Sequence, residues 1–326
     1  MAEKQVYNKV YTDEKWEMVN KENKDIMDDF LEELKSKKYK HSTIHQYTYD
    51  LRYIFIYILD ELKNKVITEL SKKDFRRFVL WCQDKDMSSA RINRLKASVG
   101  SLLQFVEDDD DYEDYNVNQA KRVKGQPREE VRDKESYFIT FEQCMKIREY
   151  LVNKEDWQMA SLLMVAWDSA GRRNEIHQIN KECFKNGLVS NQVIGKRGKK
   201  FNLYIMPDTQ ELILKWLEVR GEDSVDSLWV INGEKMKYDT MYTRFVMFGK
   251  ILSEIEGKEI HTFSHMFRHS RLQSLMEGTD TRLGNKKFTI EELMILANHQ
   301  SSQTTQNYLM KDDKDTINNL FGVTVK

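Results

Sequence analysis

Only two of the 326 residues are proline and thirteen are glycine, and this scarcity of breakers limits the fold more than any other feature of the chain. Inside a helix, proline costs about 3 kcal/mol and glycine about 1 kcal/mol relative to alanine. Sandwiches and barrels, by contrast, depend on frequent turns rich in those residues. A chain this poor in them is predicted to be mainly helical. The hydrophobic share of 40% supplies a core, and the charged share of 32% supplies the polar faces of amphipathic helices. The length suggests about two domains. Lys and Arg (52) nearly balance Asp and Glu (53), so the net charge of −1 lacks the basic excess of many nucleic-acid binders. It still permits a basic face offset elsewhere. No apolar run is long enough to span a membrane, and Met1–Tyr11 lacks the apolar stretch of a secretion signal. Cys82, Cys144 and Cys183 are odd in number and far apart, which suits a reduced, cytoplasmic protein without a disulfide framework.

Apolar spacing lays out a first domain over residues 1–115. Ile26, Phe30 and Leu34 form one helical stripe. Ser42 is expected to cap a second helix that buries Ile44, Tyr47, Leu51, Ile54, Ile58 and Leu62. Ser71 and Asp74 resemble a capping box ahead of Phe75, Phe78 and Val79. Ser88 or Ser89 opens a fourth helix with Ile92, Leu95, Val99, Leu102, Leu103 and Val106 inside. Together these predict a small helical bundle. It runs into an acidic stretch at Glu107–Asp114, and residues 116–136 read as a solvated tether. A second domain, residues 137–326, opens with a Thr140–Gln143 capping box and a buried helix over Trp157–Trp167. A hairpin follows, with strands at Gly187–Ile194 and Phe201–Met206 around a Gly195–Gly198 turn. Helices are expected at about Thr209–Val219, Tyr238–Ile255, Met266–Met276 and Ile290–Ala297, with a last one holding Tyr308.

Unusual polar groups gather near the ends of these elements. Ser169-Ala170-Gly171-Arg172-Arg173 breaks a buried helix and presents two arginines. His265, Arg268 and His269 share one helical face. Lys196 lies at a hairpin tip, His299 closes another helix, and Tyr308 follows nine residues later. Arginine forks match phosphate oxygens two at a time, so the set suits a phosphate anion. His265 and His269 could instead hold zinc, but Met266 stands where a zinc-protease helix has its glutamate. No metal is therefore expected.

Taken together, these motifs resemble the tyrosine recombinase (phage integrase) family. Its T-G-x-R-x-x-E motif is matched by Ser169, Ala170, Gly171, Arg172 and Glu175, and its hairpin lysine turn by Gly195, Lys196 and Lys199. The H-x-x-R-H box is His265, Arg268 and His269, and the last box is Leu296-Ala297-Asn298-His299 with Tyr308. Departures are Ser169-Ala170 for Thr-Gly, Asn298 for Gly, and Phe201 and Tyr204 on the returning strand. Gly278–Ile290 looks like an insertion.

The resemblance implies the tyrosine recombinase fold: an N-terminal helical core-binding bundle and a C-terminal mixed α/β catalytic domain with a small β-hairpin sheet. It implies that Arg172 and Arg268 grip one DNA phosphate and that Tyr308 attacks phosphorus to form a 3′-phosphotyrosine. His265 would be the base or proton shuttle, Lys196 the acid for the leaving 5′ oxygen, and His299 a phosphate ligand. No cofactor is implied. Duplex DNA is the partner, contacted also by Lys72, Lys73, Arg76, Arg77, Arg91, Arg94, Lys96, Arg173 and Lys199. The protein is expected to act as a homo-oligomer on DNA, in the cytoplasm of a bacterial or phage-infected cell. The apolar tail (Leu320, Phe321, Val323 and Val325) would pack on a neighbouring protomer or fold back on its own domain. Two readings remain open: a recombinase that integrates or excises DNA, and a sequence-specific regulator of the phage-repressor type that keeps the fold without recombining.

Overall fold

The computed structural model describes residues 10–112, 115–127 and 138–298. The chain divides into two compact units, Met1–Lys134 and Glu135–Lys326.

In the first unit, helices α1 (Asp13–Met18), α2 (Lys21–Ser36), α3 (His41–Glu61), α4 (Lys72–Asp84) and α5 (Ser89–Asp108) enclose one core. Leu51, Ile54 and Ile58 of α3 and Leu95, Leu102 and Leu103 of α5 are almost wholly buried, at about 1.5–3 kcal/mol for each such side chain. Asp74 accepts from the Ser71 backbone at 3.0 Å, and Ser88 Oγ from the Arg91 backbone at 3.3 Å, as the capping patterns predict. Ser42 does not cap α3. The helix starts two residues earlier than that cap implies, behind Lys40, whose extended backbone (φ −63°, ψ 141°) makes it the N-cap without a side-chain bond. The tether expected from residue 116 onward also differs. Asn118 donates to the Gly100 carbonyl at 2.8 Å, and Ala120 and Val123 are buried in the bundle core. Asn93 adds a bond in each direction to the Gln126 backbone, at 3.0 and 2.8 Å, so a segment that its charge makes look solvated is docked along its length.

The second unit is built around α7 (Trp157–Ser169), buried on all sides from Met159 to Ser169, as befits a helix apolar all round. Against it pack α6 (Phe141–Asn153), α9 (Pro207–Arg220), α10 (Tyr238–Glu256) and α11 (Ser264–Glu277). The one-turn helix α8 (Arg173–Ile176) follows α7, and α12 (Ile290–Ala297) packs on α11. Thr140 and Gln143 exchange backbone bonds at 3.0 and 3.1 Å, completing the predicted box at the start of α6.

The hairpin is much shorter than its sequence suggests. Only β1 (Val193–Ile194) and β2 (Lys200–Phe201) pair regularly, with Val193 opposite Phe201 and Ile194 opposite Lys200. Beyond them, Ser190 Oγ accepts from the Leu203 backbone at 2.8 Å, and Asn202 donates to the Ser190 carbonyl at 2.6 Å. Such side-chain bonds compete with the ladder, leaving one isolated bridge between Val189 and Tyr204. A second hairpin, β3 (Val230–Ile231) with β4 (Glu234–Lys235), turns on Asn232 and Gly233, both at positive φ (51° and 76°).

Candidate active site

Helix α7 ends at Ser169. Its Oγ accepts from the Gly171 backbone at 3.1 Å and donates to the Val165 carbonyl at 2.6 Å. Ala170 closes the helix in the left-handed region, at φ 47° and ψ 27°. Glycine is the usual residue in that conformation. Here the methyl group is fully buried in a small cluster with Leu272, Leu275, Leu293 and Ala297, so packing offsets the strain. A side chain on Gly171 would meet Ser169 Oγ at 2.9 Å and Ile176 at 3.1 Å, so the next residue has to be glycine.

The sharp turn delivers Arg172 as the N-cap of α8. Its backbone N–H donates to Glu175 Oε2 at 2.7 Å, and its Nη1 to Glu175 Oε1 at 2.9 Å. Glu175 is buried, while Arg172 keeps 27% of its side chain exposed, so the carboxylate anchors a guanidinium that solvent still reaches. Gly195 sits against the same carboxylate, its absent Cβ only 3.2 Å from Glu175 Oε1 and 2.7 Å from the Phe201 ring. Gln178 fixes β1 through Ile194, donating to its carbonyl at 3.0 Å and accepting from its N–H at 2.9 Å. Asn174 of α8 donates to the same Ile194 carbonyl at 3.3 Å, so the turn carrying exposed Lys196 and Lys199 is tied to the helix that Arg172 caps.

Arg268 comes from α11 and is 1% exposed. Its Nη1 donates to the Ala170 carbonyl at 2.6 Å and its Nη2 to the Ala297 carbonyl at 2.5 Å. Both acceptors lie at helix C-termini, where the partial negative charge of the helix dipole stabilises a cation. Asn298, in the left-handed region at φ 52°, ends α12 just beyond Ala297.

One turn before Arg268, the His265 ring lies edge-on to His269, with centroids 4.8 Å apart. Partial burial, His269, Arg268 and Arg172 all disfavour a charge on His265 and push its pKa down to about 4. Solvent reaches the ring, which weakens the effect of burial, but the neighbouring positive groups act in the same direction. His265 is therefore neutral at pH 7 and can accept a proton.

Arg172, His265 and Arg268 thus come together with the base of the Lys196 turn. His299 and Tyr308 lie outside the described residues. Arg173 turns away from Arg172, its guanidinium 3.8 Å from the Tyr238 ring centre and 5.1 Å from that of Tyr242. In the first unit, Lys72, Lys73, Arg76 and Arg77 stand exposed on α4. Arg91 and Arg94 serve another purpose as well. They reach the fully buried Asp50 at 2.9 and 3.4 Å, where Ser98 also donates at 2.9 Å. Lys96 lines an open cleft of about 820 Å³ with Phe30, Tyr47 and Phe105. Among the described residues no three His, Cys, Asp or Glu side chains gather as a metal site, and no helix is long and apolar enough to cross a membrane.

Residues 137–315 match the family model described as the phage integrase family, and residues 27–109 match that of the phage integrase N-terminal SAM-like domain. The chain belongs to the phage integrase family. A curated relative, the SPbeta prophage-derived recombinase-like protein YomM of Bacillus subtilis (strain 168), is 26% identical over 327 residues, covering 95% of this chain and 94% of the relative. The fold is that of the tyrosine recombinases. The Tn1549 transposon integrase, solved with a circular intermediate DNA, superposes with a TM-score of 0.66 at 14% identity, over 91% of this chain and 98% of the other. A lambda integrase dimer bound to a COC′ core site gives 0.62 at 15% identity, over 86% and 96%.

Several residues packed near this candidate site carry no signal in the sequence. Asp168, Asp208, Arg271, Asp280 and Arg282 converge behind the arginines although up to 114 positions separate them. Only Arg271, one turn beyond Arg268, falls on a visible helical spacing. Asp50 could have been found, as an acid on the apolar stripe of α3.

Proposed function

We propose that this protein is a site-specific DNA recombinase that breaks and rejoins duplex DNA through a 3′-phosphotyrosine on Tyr308. The observation that carries the reading is Arg268, a buried guanidinium held by two helix-terminal carbonyls beside Arg172. Burying such a charge is costly, and gripping a phosphate is the purpose that this reading gives it. Arg172 and Arg268 take the non-bridging oxygens of the scissile phosphate and stabilise the charge that grows in the transition state. Tyr308 Oη attacks phosphorus and gives its proton to neutral His265, while His299 steadies a phosphate oxygen. The bond from phosphorus to the 5′ oxygen breaks, and Lys196 gives that oxygen its proton. Rejoining runs the same steps backward from a new 5′ hydroxyl. The phosphotyrosyl bond conserves the energy of the broken phosphodiester, so the reaction balances without a nucleotide or a metal.

Duplex DNA is the partner in this reading. Lys72, Lys73, Arg76 and Arg77, with Arg173 and Lys199 in the second unit, neutralise its phosphates. Exchanging strands between two duplexes requires four such sites, so we infer a homo-tetramer on DNA, acting in the cytoplasm. A lambda integrase tetramer has been solved on a Holliday junction. The regulator reading has no observation of its own in its favour. The test is a nicked suicide substrate carrying the protein's own recombination site. Wild type should form a covalent protein–DNA adduct, and Tyr308→Phe should bind equally well and form none. Tight binding by wild type without any adduct would refute the enzyme and leave the regulator.

A further inference from the structure

Behind the two arginines lies a charge cluster that the chemistry above does not use. Arg282 stands in the segment between α11 and α12. Its Nη2 donates to Asp168 Oδ1 at 2.7 Å and to Asp280 Oδ2 at 2.9 Å, and its Nε to Asp280 Oδ1 at 3.1 Å. Its Nη1 reaches both oxygens of Asp208 at 3.1 Å. Asp280 also accepts from Arg271. Asp168 in turn accepts from the Met206 backbone at 2.9 Å and from Thr209 Oγ1 at 2.5 Å. Asp168, Arg271 and Asp280 are all buried. Burial opposes the charge on Arg282, but the carboxylates outweigh it and hold its pKa above the usual value.

We propose that Arg282 is a positioning residue for DNA cleavage, fixing the spacing between Arg172 and Arg268 from behind. Asp168 lies two residues before Ala170, whose carbonyl holds Arg268, and four before Arg172. On the other side, Asp280 grips Arg271, one turn along α11 from Arg268. Arg282 bridges the two carboxylates with one rigid fork, so the end of α7 and the middle of α11 cannot slide apart independently. The segment that presents it is itself pinned. The Asp280 side chain accepts from the Arg282 backbone at 3.0 Å, and the Phe288 N–H donates to the Leu275 carbonyl at 3.0 Å. What reads as an insertion in the sequence is therefore a packed brace. Stability alone gives little reason for such a cluster, because apolar residues of similar volume usually serve as well as buried ion pairs.

The proposal rests on Arg172 and Arg268 gripping the scissile phosphate, and its test is built to fail separately from that reading. In the full-length protein, Arg282→Lys keeps the charge but cannot reach all three carboxylates. Affinity for duplex DNA should stay within about two-fold of wild type. Single-turnover cleavage of a suicide substrate should fall on the order of 100-fold, the scale for a reacting group displaced by about 1 Å. The rate ratio between the two phosphorothioate diastereomers at the scissile phosphate should change too, since each reports one non-bridging oxygen. A purely structural role would lower the melting temperature and leave that ratio and the rate of folded protein untouched, which would overturn the proposal. The free protein gives a second reading by NMR. The guanidinium Nε–H signals of Arg172 and Arg268 should both shift in R282K. If they stay in place the proposal fails, whereas absence of any adduct from wild type refutes the recombinase reading alone. Should R282K not fold, Asp208→Asn removes one arm from the solvent side. It should give a smaller cleavage loss, and no loss at all would count against the brace.

Discussion

Replacing Glu175 by glutamine removes one charge and almost no volume, and it isolates what the carboxylate does for Arg172. Two bonds converge on it, from the Arg172 backbone at 2.7 Å and from Nη1 at 2.9 Å. A carboxamide has one acceptor oxygen, so one of the two donors would face an N–H group instead. A buried hydrogen bond to a charged group is worth about 1.5–3 kcal/mol, and the retained bond keeps part of the cap. The net loss should be about 2 kcal/mol, or about 4–8 °C in melting temperature for a unit of this size. The effect on cleavage should be larger. Freed of its partner, the guanidinium would leave the place from which the proposed mechanism has it grip the phosphate, and a displacement of about 1 Å costs on the order of 100-fold in rate. DNA binding, spread over many phosphates, should change less than about two-fold. Calorimetry, a binding titration and suicide-substrate kinetics on one preparation decide the matter. If Glu175→Gln cleaves as fast as wild type, or faster, then Glu175 only damps the charge on Arg172 and the positioning argument is wrong.

Other outcomes follow from the same geometry. Arg172→Ala should abolish cleavage and leave a folded protein. Arg268→Ala should also cost about 2–5 kcal/mol of stability, because it strips the donor from two buried carbonyls; equal melting temperatures for the two variants would contradict the geometry. By NMR, His265 in the free protein should titrate near pH 4 rather than near 6.5. The unfolded chain then takes up a proton that the folded chain refuses, so stability from this group is lost as pH falls from about 6.5 through about 4 and does not change above that; a midpoint at 6.5 would show that its neighbours exert no such push. Lys72→Ala combined with Lys73→Ala should flatten the dependence of log affinity on log salt by about 1.8, at about 0.9 per lost phosphate contact, and an unchanged slope would remove α4 from the DNA surface. Asp50→Ala should cost about 3–5 kcal/mol by leaving Arg91 and Arg94 around a buried gap, read as a fall in the denaturation midpoint.

The helices were legible because burial imposes a period. The stripe from Leu51 to Leu62 and the boxes at Ser71 and Thr140 mark their elements within a residue or so. The hairpin was overread because alternation reports which face is buried and not whether the backbone pairs. Ser190 and Asn202 take over backbone bonds that the ladder would otherwise use. The second hairpin went unread although Asn232-Gly233 is the residue pair that a two-residue turn with positive φ favours. In the site, residues that sit beside each other in the chain were readable as motifs: Arg172 with Glu175, and His265 with Arg268. The brace around Arg282 was not, since a guanidinium binding three distant carboxylates leaves no local spacing to detect. Arg91 and Arg94, read in the sequence as DNA contacts, also spend part of their charge on Asp50, a partner that the cluster of basic residues does not reveal.

The two left-handed residues that flank Arg268 bear on how the protein responds to warming. The motifs that the chain resembles have glycine at these joints, and a glycine joint wanders widely in the unfolded chain, so closing it forfeits much disorder. Ala170 and Asn298 are more confined from the outset and forfeit less. Their strain is a fixed energetic burden, whereas the disorder they spare counts for more as temperature rises. Exchanging both for glycine would relieve the strain and enlarge the disorder of the unfolded chain. The balance between strain and spared disorder therefore shifts with temperature at both joints, and at Ala170 the buried methyl adds packing that glycine would lack.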